Sequence, residues 1–145
     1  MPAGLLPDEG IADQLKYILQ SPISGVLPWR LVFFVNDLVP GPETVWADLE
    51  EASFVGYSRL TLDRSGWVIG TPADGCVHAT WGSYAQVWYN TGGPAQTIYG
   101  YAYLDGSSEI LRFVQRFDDA DIGLLEVGGR ILLLPAYTLT SAECA

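Results

Sequence analysis

The chain has 145 residues, of which 49% are hydrophobic, 17% are charged and 12% are aromatic. It is therefore long enough to bury a core as one domain and too apolar to remain disordered. Seven Lys and Arg residues against seventeen Asp and Glu residues give a net charge of −10, and no local cluster of basic residues offsets it. Because nucleic acids and anionic membranes are also negatively charged, the composition argues against both as partners.

The N-terminal region predicts an arm followed by a short helix. Met1–Gly10 is rich in Pro and Gly and lacks the basic stretch and apolar core of a signal peptide. Four apolar residues then recur at the helical spacing i, i+4, i+7 and i+8: Ile11, Leu15, Ile18 and Leu19. Ser21 and Pro22 are a suitable helix stop. We expect residues 1–28 to form this arm and helix, and residues 29–145 to form a single β-rich domain.

The rest of the sequence predicts short strands with one additional helix. Arg30–Asn36 (RLVFFVN) is a continuous β-branched and aromatic run, typical of a buried strand. Thr44–Ala52 is the helical candidate, with Thr44 as its N-cap. Eight further strands are expected: Gly56–Leu62, Trp67–Thr71, Cys76–Trp81, Ala85–Tyr89, Thr97–Leu104, Glu109–Phe117, Leu124–Val127 and Arg130–Leu139. Strands at this spacing are typical of an all-β sandwich or a jelly roll.

Three tyrosines at every second position define a stripe in the segment TIYGYAYLD: Tyr99, Tyr101 and Tyr103. A turn at Asp105–Ser108 would pair Ala102 with Leu111, Gly100 with Phe113, and Tyr101 with Arg112. On this register Phe113 covers the backbone at Gly100 and Arg112 stacks on Tyr101. The small and aliphatic face, which includes Ile98 and Ala102, is then the core face. The tyrosine face becomes an outer surface suited to another strand, arm or subunit.

A second aromatic group lies in one nine-residue stretch: Trp81, Tyr84, Trp88 and Tyr89. Such rings can stack on sugars or contact a protein partner, and they can equally fill the core of a domain that has a single methionine. Both interpretations stay open from the sequence.

The sequence offers little that could support catalysis. His78 lies two residues after Cys76 in a predicted strand, but nothing nearby supplies an oxyanion hole or an orienting carboxylate. The acidic loop with Asp118, Asp119 and Asp121 has part of the spacing of a calcium loop without its other ligands. Cys76 and Cys144 are interpreted as two free thiols in a reducing cell. We expect no cofactor, no metal and no enzymatic activity.

Four stretches together resemble small structural proteins of tailed bacteriophages, of the capsid decoration (cement) type: LVFFVNDLVP (Leu31–Pro40), WADLEEASFVGYSRLTL (Trp46–Leu62), IYGYAYLDGSSEILRFVQRF (Ile98–Phe117) and RILLLPAYTL (Arg130–Leu139). The resemblance implies a β-rich fold, no catalysis, and binding to the outside of a capsid as trimers or other symmetric groups. The expected partners are the major capsid protein and other copies of the chain, and the expected location is the virion surface after synthesis in the host cytoplasm.

The residues expected at interfaces are the tyrosine stripe, part of the aromatic group and the helix face: Tyr99, Tyr101, Tyr103, Arg112, Trp81, Trp88, Tyr89, Leu15 and Ile18. The alternative function is a tail-associated or attachment module, in which the stretch from Trp81 to Tyr89 contacts a host glycan or receptor. An unrelated small enzyme or metal-dependent protein is the third hypothesis.

Overall fold

The computed structural model of the protein describes residues 14–16, 18–20, 28–70, 76–106 and 109–140. Residues 14–16 and 18–20 are helical, and the strands are β1 (Trp29–Phe34), β2 (Leu60–Leu62), β3 (Trp67–Ile69), β4 (Cys76–Trp81), β5 (Gln86–Tyr89), β6 (Gln96–Ile98), β7 (Gly100–Leu104), β8 (Leu111–Arg116), β9 (Gly123–Leu125), β10 (Arg130–Leu133) and β11 (Ala136–Thr140). All of their pairings are antiparallel. The predicted all-β class with a short N-terminal helix is confirmed.

The chain divides into two compact units. The first comprises Met1–Gly25, Asp63–Ala85 and Leu134–Ala145, and the second comprises Val26–Leu62 and Gln86–Leu133. The boundary that we expect near residue 28 stays a prediction. In the first unit β4 is the central strand of a three-stranded sheet of order β11-β4-β3. The buried residues of the first unit include Leu15, Leu19, Trp67, Val77 and Ala79.

The second unit is built on a four-stranded sheet of order β2-β1-β7-β8, with two-stranded sheets β10-β5 and β6-β9. The two central strands are buried on both faces. On one face Val32, Phe34, Leu49, Ala102 and Leu104 form a continuous apolar cluster. The ladder places Phe33 opposite Tyr101 and Leu31 opposite Tyr103, and these four residues fill the other face. Burial on both faces explains why β1 is a continuous apolar run instead of an alternating one.

The predicted helix at Thr44–Ala52 is wrong. Only Trp46–Asp48 forms a single 3₁₀ turn, in which the Asp48 carboxylate accepts a hydrogen bond from the backbone N–H of Val45 at 3.0 Å. The chain beyond the turn runs alongside β1 instead. Ala52 donates its N–H to the carbonyl of Phe33 at 2.9 Å, and Leu49 and Ala52 are buried there. Pairing with β1 thus satisfies backbone hydrogen-bonding groups of this segment and buries the side chains of Leu49 and Ala52.

Two predicted strands are each divided into two. Thr97–Leu104 is interrupted at Tyr99, whose N–H donates to Phe34 O at 3.0 Å and whose carbonyl accepts from Phe117 N at 2.9 Å. Arg130–Leu139 is interrupted just before Ala136 by a proline, which has no N–H to donate to a ladder. In both cases the two parts pair with different strands.

The predicted register of the β7–β8 hairpin is also wrong. Ala102 lies opposite Val114 and Tyr103 lies opposite Phe113, with a bulge between Tyr103 and Leu104. We predicted Leu111 opposite Ala102, three residues away from the observed partner, and an odd shift places each side chain on the other face of the strand. The cause is a longer connection, closed by a 2.9 Å hydrogen bond from Asp105 N to Ile110 O.

Gly100 is covered by an aromatic ring, but the ring belongs to Phe34 and not to Phe113. A Cβ atom on Gly100 would lie 2.6 Å from Cζ of Phe34 and 2.2 Å from the carbonyl oxygen of Gln115. These separations are well inside van der Waals contact. Glycine is therefore required where β7 passes beneath Phe34.

Candidate functional site

The tyrosine stripe belongs to the core and is not an outer surface. Tyr103 is 0% exposed and Tyr101 is 8% exposed. The interruption before β7 places Tyr99 on the opposite face, against the cluster that contains Val32 and Phe34. The three tyrosines therefore do not share a face, and the expectation that Tyr101 and Tyr103 form a contact surface is wrong.

The tyrosine side chains pack against rings and one guanidinium group. Tyr101 lies 5.6–5.9 Å from the rings of Tyr103, Phe113 and Phe117, and burial raises the pKa of its hydroxyl. Arg116, not Arg112, is the cation over a tyrosine, 5.3 Å above the ring of Tyr99.

Arg112 forms an ion pair in place of the predicted stacking on Tyr101. One of its Nη atoms lies 2.9 Å from the Oδ2 atom of Asp105, a residue whose side chain is only 6% exposed. Arg112 itself is exposed, so it stays a candidate interface residue.

The aromatic group of residues 81–89 divides between core and surface. Trp88 is buried, donates its indole N–H to Ser58 O at 3.1 Å, and meets the ring of Phe33 edge-on at 4.7 Å. Trp81 is half-buried and donates to Asp63 O at 3.0 Å. Tyr84 and Tyr89 are exposed. Core packing is thus the role of Trp88, whereas Tyr89 presents its ring to solvent.

The N-terminal helix also has one buried face. Leu15 is 0% exposed, so it is a core residue and not an available contact residue. Ile18 is exposed, and its place in an interface stays a prediction. Gln20 fixes the end of the helix by donating from Nε2 to Trp67 O at 2.8 Å.

The groups singled out for chemistry are held in local contacts. His78 is exposed, and its Nδ1 lies 2.8 Å from the hydroxyl of Thr138, its partner across the β4–β11 ladder. Asp118 and Asp121 belong to a turn closed by a 2.8 Å bond from Asp121 N to Asp118 O. Among the described residues no group of three or more His, Cys, Asp or Glu side chains is arranged to hold a metal ion. The side chains of Cys76 and Cys144 lie outside the described part of the chain.

A half-buried charged cluster is one feature that the sequence interpretation missed, because Glu51 lies in the segment predicted as the helix Thr44–Ala52. Arg59 binds both carboxylate oxygens of Glu51, at 2.8 and 2.9 Å, and reaches Glu109 at 2.9 Å. Tyr57 donates its hydroxyl to the same carboxylate. Burial would raise the pKa of Glu51, but the hydrogen bonds from Arg59 and Tyr57 outweigh burial and lower it. Burial and the bond to Glu51 raise the pKa of Tyr57.

An exposed apolar surface lies on the β5–β10 sheet, and we name it the outer ladder: Val87, Tyr89, Arg130 and Leu132. Val87 lies directly opposite Leu132, and Tyr89 lies directly opposite Arg130. Val87 is 41% exposed and Leu132 is 56% exposed. The other face of the sheet carries the buried Trp88, which holds β5 in place. The result is a supported surface whose centre is apolar.

The described part of the chain contains no helix long and apolar enough to cross a membrane. No protein-family model, no curated protein and no solved structure matches the chain. The resemblance to phage structural proteins therefore stays a prediction, and the geometry of the outer ladder is the main structural basis for proposing a function.

Proposed function

We propose that this chain is a non-enzymatic structural protein that binds the outer surface of a bacteriophage capsid and stabilises it. The observation that carries the proposal is the outer ladder, an exposed apolar surface on the two-stranded β5–β10 sheet. The sequence resemblance supplies the class of partner, the major capsid protein. The proposal places the chain on the virion surface, as symmetric groups such as trimers.

The outer ladder has the character of a docking surface. Single exposed apolar residues are normal on a protein, whereas the two exposed aliphatic residues of the outer ladder are adjacent. Val87 and Leu132 face each other across the two strands, so both can be covered by one partner surface. Arg130 adds a positive charge at the edge of the patch, in a chain whose net charge is −10. A matching partner surface is apolar, with a carboxylate facing Arg130.

The negative charge of the chain also suits the proposed location. Copies that carry −10 each repel one another, so they associate only where apolar contact or a common support outweighs the repulsion. A capsid surface provides such a support, because it fixes each copy at a position set by the lattice symmetry.

A co-sedimentation experiment with capsids tests the proposal. The variant carries Val87→Thr and Leu132→Thr, which remove apolar surface without adding charge. The control is Val68→Thr, which changes a strand valine that lies outside the outer ladder and is 58% exposed. Each side chain that becomes buried on binding contributes roughly 1.5 kcal/mol or more, so the loss of both contacts weakens affinity by about a hundredfold.

The expected result is that the wild type and the Val68 variant sediment with the capsids and that the outer-ladder variant does not. Equal binding by all three proteins would remove the outer ladder from the proposal. The absence of binding by the wild type would refute capsid decoration itself.

The alternative, a module that attaches to a host glycan, is supported by one observation. A groove of about 290 Å³ runs beside β5, and Tyr89 and Gly56 are among the residues that line it. An exposed tyrosine ring at a groove can stack on a sugar ring. Glycan binding that is lost with Tyr89→Ala but kept with Tyr84→Ala would favour this alternative. Trp88 is unsuitable for the test because it is buried.

A further inference from the structure

A second surface in the same unit has the dimensions of a binding site. A cleft of about 680 Å³ opens at the C-terminal end of β8, next to β9 and β10. Clefts of a few hundred to a thousand Å³ are typical of ligand sites. Its apolar lining includes Ile98, Phe117, Leu124, Ile131, Leu132 and Leu133. We name it the β8–β10 cleft.

The strands at the β8–β10 cleft have unpaired edges. Within the described part of the chain, β8 pairs only with β7, β9 only with β6, and β10 only with β5. Each strand therefore presents one row of backbone N–H and C=O groups to which no other strand is bonded. Such an edge is a template for an additional strand, whose alternate side chains would enter the apolar lining.

The charged side chains at the cleft favour a positively charged occupant. The Arg116 guanidinium is already neutralised by Asp37 at 2.6 Å. Asp118 and Asp121 line the same cleft, are exposed, and have no ion-pair partner among the described residues. Of the described residues that line the cleft, Arg130 is then the one unpaired cation against these two carboxylates, and the whole chain carries a net charge of −10. These charges favour a cationic occupant. A second copy of the chain is disfavoured for the same reason.

We propose that the β8–β10 cleft binds an extended polypeptide segment of a partner protein, apolar at alternate positions and carrying Lys or Arg at one end. The segment pairs with an open strand edge, packs its apolar side chains against the exposed Leu124 and Leu132, and directs its basic end toward Asp118 and Asp121. The β8–β10 cleft adjoins the outer ladder, since Arg130 and Leu132 also line it. The inference does not depend on the identity of the capsid partner, because it is tested without capsids.

The probe is the synthetic peptide KKVTVTV, titrated into the full chain and followed through the backbone amide NMR signals of β9 and β10. The charge-reversed peptide EEVTVTV is the first control. Two protein variants form a matched pair at exposed residues, Leu124→Lys inside the cleft and Val127→Lys outside it, with exposures of 56% and 59%. Because both residues are exposed, neither change is expected to unfold the protein.

The expected result is binding of KKVTVTV to the wild type and to Val127→Lys, with shifts in β9 and β10. Leu124→Lys lowers the affinity at least about tenfold, since it introduces a like charge into the cleft. The Asp118→Asn and Asp121→Asn double variant lowers it by about fivefold, as expected for two exposed ion pairs.

Four results would overturn the proposal. Equal binding of EEVTVTV would refute the charge argument, and equal affinity of the two lysine variants would place the peptide elsewhere. Dimers of the wild-type chain in sedimentation that dissociate in Leu124→Lys would assign the cleft to a second copy. Failure of KKVTVTV to bind at all would refute the cleft as a site for an extended basic segment and would leave the capsid test unaffected.

Discussion

Replacing Arg59 with methionine removes the cation from the charged cluster and keeps a side chain of similar length. Arg59 is the link between Glu51 and Glu109, and its guanidinium also lies 5.6 Å from the centre of the Trp46 ring. The Arg59 and Glu51 side chains are each about one quarter exposed, whereas that of Glu109 is half exposed. Most of the effect should therefore come from the Glu51 carboxylate, which the substitution leaves half-buried with Tyr57 as its hydrogen-bond donor.

The magnitude follows from the number and burial of these bonds. Hydrogen bonds to charged groups contribute about 1.5–3 kcal/mol each, and breaking a buried ion pair costs about 3–5 kcal/mol. Because both partners retain some contact with water, we expect Arg59→Met to lower the free energy of unfolding by about 3 kcal/mol at neutral pH. The more exposed pair with Glu109 contributes less than about 1 kcal/mol of this.

The dependence on pH has a defined sign. The pKa of Glu51 lies below its ordinary value of 4.5 in the folded chain. The stability that the ionised carboxylate contributes is therefore complete above pH 4.5 and is lost as the pH falls through the lower, folded pKa. Below that pKa the destabilisation caused by Arg59→Met should decrease, because a protonated Glu51 no longer requires the cation.

Urea unfolding of the wild type, Arg59→Met, Glu51→Gln and the double variant measures this coupling. We expect a coupling energy of about 2 kcal/mol at neutral pH that disappears in acid. Glutamine is the suitable replacement because its amide oxygen still accepts the Tyr57 hydroxyl. A coupling energy near zero at neutral pH, or one that does not change in acid, would refute the reasoning.

Three further predictions concern the core. Gly100→Ala should lower the free energy of unfolding in urea by about 3 kcal/mol or more, because the new methyl group overlaps Phe34 and a carbonyl oxygen. The control Gly41→Ala adds a methyl group in open space and should change stability by less than about 0.5 kcal/mol. Asn90 is fully buried and donates to Leu125 O at 3.0 Å. Asn90→Asp should therefore be more destabilising than Asn90→Ala in thermal unfolding at neutral pH, because it places a carboxylate next to the carbonyl oxygen of Leu125. The reverse order would contradict the hydrogen bond from the Asn90 amide to that oxygen. Trp88→Ala should lower the free energy of unfolding by about 3–5 kcal/mol in urea, and Tyr84→Ala by less than about 1 kcal/mol. Similar values for the two variants would show that Trp88 is not the core residue of the aromatic group.

The class of the fold was accessible from the sequence because its signals are local. Cys76–Trp81 is bounded by turn residues, and β4 occupies the same residues. The buried run that contains Phe33 and Phe34 likewise forms β1. Leu15 and Leu19 share the buried face that their helical spacing predicts, within a segment of which residues 14–16 and 18–20 are helical.

The faces and partners of strands depended on information that lies far away in the chain. Period-two spacing places Tyr99, Tyr101 and Tyr103 on one face only if the strand is continuous, and the interruption at Tyr99 comes from bonds to Phe34 and Phe117. The bulge beyond Tyr103 changed the register by an odd number of residues, which reversed the face assigned to Arg112.

The outer ladder was missed for a related reason. The segments QVWY and RILL have apolar residues on both faces, so alternation alone could not assign an outer side. Their pairing joins residues about forty positions apart, from Tyr89 to Arg130, and no local signal predicts it. The burial of Trp88 decides which side is inner.

The composition of purified virions tests the central claim most directly. Particles are separated on a density gradient from a culture that expresses the chain, and heads and tails are analysed separately by quantitative mass spectrometry. Capsid decoration predicts the chain in the head fraction at a fixed ratio to the major capsid protein, and its loss from heads in the Val87→Thr and Leu132→Thr variant. Its absence from the particles, or its presence in the tail fraction alone, would contradict the claim.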